Sequence, residues 1–223
     1  MIKMVVFDMA GTTVNENNVV YKTLQQAINE KGFNFTLDEV LLEGAGKEKL
    51  QAIKSILNVF AGKEDDALSA AIYDRFIVLL AIAYDTQEIL PQDNATNLFR
   101  GLKEKKVLVV LNTGYNEATA LSLIKKLGWK QGVEYDALVT ATDVDKNRPN
   151  PDMILLAMSK FGITNGSEVV KVGDSIIDIE EGKNAGCALT VGITTGAHTK
   201  DQLKTAKPSY IIDNLLELLP LVQ

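Results

Sequence analysis

A single cysteine, Cys187, excludes an intrachain disulfide, and a single histidine, His198, leaves no second imidazole with which to build a metal centre. An excess of basic residues is also missing: 23 Lys+Arg against 29 Asp+Glu give a formal charge of -6 and a pI of about 4.9. That balance removes the positive footprint that nucleic-acid binding needs. An anionic substrate would therefore require a local cation or a metal. Long apolar runs are absent too. The longest uninterrupted one, Phe76 to Tyr84, has nine residues, whereas a membrane span needs about twenty, so no transmembrane helix is expected. Asp8 interrupts the N-terminal apolar stretch after Phe7 and leaves no room for the apolar segment of a secretion signal. With one cysteine, these features point to the cytoplasm. Neither an internal repeat nor a low-complexity tract is visible.

What is present is enough for a full core: 223 residues, 46% hydrophobic and 23% charged. Ile2 to Phe7 is a mostly apolar run ended by the turn-like Asp8-Met9-Ala10-Gly11, as expected for a buried strand of a parallel sheet. Val107 to Leu111 follows the helix-like Asn94 to Lys105, and Val169 to Val172 follows the helix-like Met153 to Phe161. Ala137 to Thr140, Ala188 to Ile193 and Tyr210 to Ile212 are weaker strands, and Asn214 to Leu219 reads as a closing helix. Strand alternating with helix implies a doubly wound, Rossmann-like α/β core of about six strands.

Residues 16–87 break that rhythm. Asn18 to Lys31, Leu37 to Leu42, Lys47 to Phe60 and Asp65 to Tyr84 have helical spacing with no strand between them, and Gly32, Gly44, Gly46 and Gly62 punctuate them. Because the first strand must pair with strands beyond this segment, an all-helical second domain is expected over residues 16–87. Residues 1–15 and 88–223 would form the core, with linkers near Val14 to Asn18 and Glu88 to Gln92. Such an insert would sit over the carboxyl edge of the sheet.

Ligands of an open parallel sheet bind where its strands end. The residues at those ends are Asp8, Thr113-Gly114, Arg148 in the polar loop Asp143 to Pro151, and Gly173-Asp174 with Asp178. Carboxylates meeting at one point repel unless a hard cation neutralises them, and oxygen ligands are what Mg²⁺ prefers. A carboxylate beside such an ion can attack phosphorus, while a hydroxyl, backbone N–H groups and a cation bind the phosphoryl oxygens. Phosphoryl transfer with Asp8 as nucleophile is the chemistry this mixture suits.

At these residues the chain resembles the haloacid dehalogenase superfamily. Its four motifs are matched in order by Val5-Val6-Phe7-Asp8-Met9-Ala10-Gly11-Thr12-Thr13, Leu111-Asn112-Thr113-Gly114, Asp143-Val144 through Arg148-Pro149-Asn150-Pro151-Asp152, and Val172-Gly173-Asp174-Ser175-Ile176-Ile177-Asp178. The resemblance implies that Asp8 is the nucleophile and that Thr113, Gly114 and Arg148 bind the phosphoryl group. It implies Asp8 and Asp174 as Mg²⁺ ligands, with Asp178 supporting the ion directly or through water, and the helical insert as a type C1 cap.

Two departures narrow the branch. Most phosphatases of the superfamily carry a second Asp two residues after the nucleophile, where this chain has Ala10, and a Lys where it has Arg148. Both departures, and Gly114-Tyr115 after the threonine, resemble the phosphonoacetaldehyde hydrolase branch, in which the backbone carbonyl at the position of Ala10 is a metal ligand. That branch forms a Schiff base on a cap lysine within Gly-x-x-Lys-x-x-His. Gly46 and Lys49 match, but the histidine position holds Ala52.

Taken singly, each residue has a plainer reading. Asp178 suits a helix first turn, Thr113 could cap the helix beginning near Asn116, and Arg148 could be a solvated loop charge. Lys47, Lys49 and Lys54 could simply populate a polar helix face. His198 reads as a surface or helix-entry residue, Cys187 as a small buried one, and Tyr21, Tyr73 and Phe76 as cap core. Three functions follow. The first is a Mg²⁺-dependent hydrolase of a small phosphorylated or phosphonylated metabolite, working through phospho-Asp8 with Lys49 as a substrate-contacting cation, and a monomer or homodimer without nucleic-acid or membrane partners. The others are phosphonoacetaldehyde hydrolysis through a Lys49 Schiff base, and a phosphometabolite-binding protein without turnover.

Overall fold

The computed structural model describes residues 1–222. Its first strand, β1 (Met4–Asp8), is buried at every position because it lies in the middle of the sheet. A short strand β2 (Val14–Asn15) leads into four successive helices, α1 (Val19–Asn29), α2 (Leu37–Gly44), α3 (Lys49–Ala61) and α4 (Asp66–Thr86). The chain returns through β3 (Leu90–Pro91), α5 (Ala95–Glu104), β4 (Leu108–Thr113), α6 (Glu117–Leu127) and β5 (Ala137–Thr140). It continues through α7 (Asp152–Lys160), β6 (Val169–Gly173), α8 (Ile176–Asn184), β7 (Leu189–Ile193), α9 (Lys200–Thr205) and β8 (Tyr210–Ile212).

Six of these strands form one parallel sheet in the order β5-β4-β1-β6-β7-β8, which bears out the doubly wound α/β reading. From β1 the chain moves outward on one side to β5 and then crosses to β6 on the other. The crevice of a doubly wound sheet opens at such a reversal. Register brings the strand ends together there, with Asp8 opposite Asn112 and Phe7 opposite Val172. Strand alternation divides the apolar side chains between the two faces. Val5, Phe7, Val109 and Leu111 pack on one side with Leu98 and Phe99, and Met4, Val6 and Val110 on the other with Met153, Ile154 and Ala157. Phe7 and Phe99 have ring centroids 5.5 Å apart.

The helical segment is set by local signals. Thr36 and Glu39 form a reciprocal capping box at the start of α2, and Gly62 ends α3 in the left-handed region. Between the helical segment and the sheet, the linkers pair as a two-stranded antiparallel ribbon, Val14 with Pro91 and Asn15 with Leu90. Two residues per strand are too few for a periodicity to show in sequence.

Two expectations need correction. The closing segment is a 3₁₀ turn, Leu215–Leu218, because too few residues precede Pro220 for two α-helical turns. Helix α3 begins at Lys49 and not at Lys47, since the Glu48 carboxylate accepts the N–H groups of Leu50 and Gln51 and caps it. Helix α4, 21 residues long with a mean hydropathy of 1.6 over its most apolar stretch, is by length and composition able to cross a membrane. In the fold, Ile72, Phe76, Leu80 and Tyr84 of α4 are buried.

Candidate active site

Asp8 ends β1 with its side chain buried, and the Arg148 guanidinium donates to its Oδ1 at 2.7 Å. One carboxylate oxygen from each of Asp8, Asp174 and Asp178 lies within 4.8 Å of the others. Asp174, just beyond β6, accepts from Thr12 Oγ1 (3.1 Å) and Ala197 N (2.6 Å) but has no ion-pair partner among the described residues. Burial, then the charges of Asp8 and Asp178, push its carboxyl well above the usual range. Burial raises Asp8 as well, with Asp178 adding to the effect and Arg148 and Lys171 opposing it. For Asp178, burial is outweighed by Arg148 and Lys171, which hold its carboxyl low.

The cations were only half legible in sequence. Arg148 is no solvated loop charge: it is 1% exposed and donates also to Glu181 (3.0 Å), to Asn112 Oδ1 (2.6 Å) and to the Gly46 carbonyl (3.3 Å). Lys171, inside β6 and fully buried, bonds Asn112 at 2.6 Å and pairs with Asp178 at 3.0 Å and Glu181 at 3.2 Å. Lys171, Glu181 and Asn112 were missed. A lysine inside a strand as apolar as Val169-Val170-Lys171-Val172 was the available signal, since a buried lysine must be paired.

Within this cluster the carboxylates of Asp8, Asp174, Asp178 and Glu181 outnumber the cations Arg148 and Lys171 four to two. The excess equals the charge of one divalent ion, and an all-oxygen donor set suits a hard one. The residues therefore fit Mg²⁺. In the turn after β1, the carbonyls of Asp8, Met9 and Gly11 accept hydrogen bonds, whereas that of Ala10 accepts none from the described residues. It is thus available as a ligand.

Thr113 is buried, and its hydroxyl accepts from Tyr115 N at 3.2 Å. The helix cap is Asn116, which accepts from Thr119 N at 2.9 Å, so Thr113 is not needed for that role. Gly114 is where the helical segment meets the sheet. A Cβ there would lie 2.9 Å from the Lys47 carbonyl oxygen, and one on Gly46, whose φ is +74°, would meet Ser175 and Ile177 at 2.4 Å. Side chains at either position would hold the two surfaces apart.

Lys49 departs furthest from the plain reading. Lys54 pairs with Asp66 at the surface and Lys47 with Glu43, but Lys49 is 6% exposed. Its Nζ donates to the Lys47 carbonyl (2.8 Å) and sits 5.3 and 5.4 Å from the ring centroids of Tyr21 and Tyr115. Burial lowers its pKa to about 8, against the opposing pull of Asp8. Lys49 lines a cavity of about 240 Å³ with Tyr73, Phe76, Gly114 and Tyr115, so two of the expected cap-core aromatics face this space. The third, Tyr21, lies beneath Lys49 and accepts from Gly46 N at 2.9 Å. His198 is buried rather than superficial: Nδ1 accepts from Ile176 N (3.0 Å) and Nε2 faces the Leu41 carbonyl (3.3 Å) across the same junction. Cys187 is partly buried, and burial pushes its thiol up to about 12.

The chain is similar to known proteins. A family profile described as haloacid dehalogenase-like hydrolase matches residues 2–186. The chain is 30% identical to the phosphonoacetaldehyde hydrolase of Latilactobacillus sakei, over 97% of this chain and 93% of that one. It is also 30% identical to a protein of Dickeya dadantii described as a probable phosphatase, IndB, over 98% and 92%. The crystal structure of a phosphonoacetaldehyde hydrolase-like protein from Oleispira antarctica superposes with a TM-score of 0.84 at 21% identity, covering 99% of this chain and 91% of that one. At that identity the likeness concerns the fold.

Proposed function

The chain belongs to the haloacid dehalogenase-like hydrolases, and on that premise we propose that it is a Mg²⁺-dependent hydrolase of a small phosphorylated or phosphonylated metabolite that works through phospho-Asp8. The observation that carries this reading is the buried Asp8 carboxylate, held by Arg148 beside an unpaired Asp174 in a cluster short of two positive charges. Bound through Asp8, Asp174 and the Ala10 carbonyl, with Asp178 supporting it, Mg²⁺ would screen the anionic phosphoryl group from the attacking carboxylate.

The chain's own groups do the rest. Arg148 fixes the rotamer of Asp8 and offsets its charge. Thr113, with the backbone N–H groups of the loops after β1 and β4, receives the phosphoryl oxygens. The helical segment, residues 16–87, acts as a cap that closes over the core of 1–15 and 88–223 and excludes water. Lys49 supplies a cation to the substrate beneath the cap. A cytoplasmic enzyme, monomeric or homodimeric, with a small-molecule partner is the setting this implies.

A second reading has one observation in its favour. The lowered pKa of Lys49, over the rings of Tyr21 and Tyr115, leaves part of it as neutral amine near pH 8, as imine formation with phosphonoacetaldehyde would require. Phosphate release from a panel of phosphate esters and phosphonoacetaldehyde, with Mg²⁺ and with EDTA, tests both. Mg²⁺-dependent turnover of esters supports the first reading, and turnover confined to phosphonoacetaldehyde the second. Tight binding with no turnover overturns both and leaves a binding protein.

A further inference from the structure

Neither Ala10 nor Ala52 can carry a proton. A different ionisable group lies buried at the junction of linker, cap and core. Glu16, one residue past β2, is 3% exposed, and its Oε2 accepts from Val20 N at 2.9 Å and from the Tyr84 hydroxyl at 3.0 Å. The Tyr84 hydroxyl is 2.7 Å from that of Tyr115, with the two rings edge to face. The chain of three therefore runs from the cavity, which Tyr115 lines, through α4 to a carboxyl that does not line it.

Glu16 has no ion-pair partner among the described residues. The groups facing it are Lys22 and Tyr21 from α1, Lys49 from α3, Tyr84 from α4 and Tyr115 from the core. Burial outweighs Lys49 and Lys22 and lifts its pKa to about 7, so it is near half-protonated at neutral pH. Both tyrosines are pushed well above their usual range by burial and stay protonated. They can pass a proton along but not keep one.

We propose that Glu16 is the proton store of the cavity that Lys49 and Tyr115 line, exchanging a proton with the substrate's leaving oxygen through the hydroxyls of Tyr84 and Tyr115. The inference rests on the phosphate-ester reading above. With Glu16 neutral, its proton points to the Tyr84 oxygen, the reverse of the bond made to the carboxylate, so that Tyr84 donates to Tyr115 and the Tyr115 proton is free. As Asp8 oxygen bonds to phosphorus and the bond from phosphorus to the leaving oxygen breaks, Tyr115 gives that proton to the leaving oxygen. Tyr84 then reprotonates Tyr115, Glu16 reprotonates Tyr84, and Glu16 is left as carboxylate. When water attacks the phosphoaspartyl group, its proton enters at the Tyr115 oxygen and each hydroxyl proton moves one place on, restoring neutral Glu16. Glu16 and Tyr84 act through Tyr115 and are positioning residues.

The experiment compares alkyl phosphates with p-nitrophenyl phosphate in wild type, Glu16→Gln and Tyr84→Phe, and follows the Glu16 carboxyl by NMR in protein carrying ¹³C-labelled glutamate. Its resonance is identified by its absence in Glu16→Gln. Expected losses are on the order of 10²-fold for alkyl phosphates and under about threefold for p-nitrophenyl phosphate, whose leaving group needs no proton. Wild-type kcat on alkyl phosphates should fall as pH rises through 7, and that fall should vanish in both variants. Equal losses on both substrate types, or a fall unchanged by the substitutions, overturn the proposal. If wild type releases phosphate from neither type, the functional reading fails and the exchange with a leaving oxygen falls with it. A Glu16 midpoint near 7 supports the store, and a midpoint in the ordinary carboxylate range overturns it.

Discussion

Arg148 reaches the Asp8 carboxylate at 2.7 Å from a position where Glu181 and Asn112 already occupy its other nitrogens. A guanidinium held on that many sides is a strut: it sets where Asp8 points, and it cannot swing out to follow a departing ligand. Its fork is itself positioned by Glu181, which also accepts from Asn112 and pairs with Lys171.

Removing Glu181 should therefore destabilise the whole edge. Glu181→Ala leaves the Arg148 Nε–H and the Asn112 amide N–H without their acceptor, and an unsatisfied buried donor costs about 1–3 kcal/mol, more where it is charged. Urea unfolding should show that loss as a lower midpoint with an unchanged slope. A change below about 1 kcal/mol would mean that water enters and screens the cluster.

Asp8→Asn should abolish turnover, because the amide is a poor nucleophile and a weaker ligand for a hard cation. Asp174→Ala should fail earlier, at the metal. Isothermal titration with Mg²⁺ separates the two, with Asp174→Ala losing more affinity than Asp8→Asn, since Asn keeps a side-chain oxygen to offer the ion and Ala has none. Near-normal turnover by Asp8→Asn would sink the covalent mechanism.

Gly114→Ala tests cap closure. A Cβ 2.9 Å from the Lys47 carbonyl oxygen must push backbone, not a flexible side chain, so the Gly46-Lys47 loop cannot seat. The core beneath it is untouched. Turnover should fall on the order of 10²-fold, as for groups misplaced by about 1 Å, while the melting temperature stays close to wild type.

Lys49, with a pKa of about 8, reports its role through the sign of a pH dependence. As a cation it should lose effect as pH rises through 8, and Lys49→Met should flatten that limb. Borohydride with phosphonoacetaldehyde should leave no adduct on peptide mapping. Turnover that rises through pH 8, with a stoichiometric adduct on Lys49, would promote the imine reading.

Glu16 should also mark the stability curve. Its folded pKa of about 7 lies above the ordinary 4.5, so its contribution is fully present below pH 4.5 and is lost as pH rises through 7. Relative to Glu16→Gln, wild type should lose roughly 3 kcal/mol across that window and little beyond it. Parallel curves for the two proteins would place the Glu16 midpoint in the ordinary range.

The six sheet strands, the helical character of residues 16–87 and the convergence of Asp8, Thr113, Arg148 and Asp174 on one sheet edge were all legible in the chain. Strand periodicity and the residue that ends a strand are local properties, and parallel pairing then dictates that those ends share an edge. Lys171, Glu181 and Asn112 were not read, although each lies within or beside a motif that was. Their partners are 59 and 69 residues away for Asn112, and no spacing rule reaches that far. The same holds for Glu16, Tyr84 and Tyr115, brought together from the segment after β2, from α4 and from the loop after β4. Residue types and local patterning by themselves determined the fold class and the identity of the acidic site. Which lysine is desolvated, which carboxyl is left without a cation and which hydroxyls connect them were decided by tertiary packing, because burial and the distance between charges exist only once the helical segment rests on the sheet.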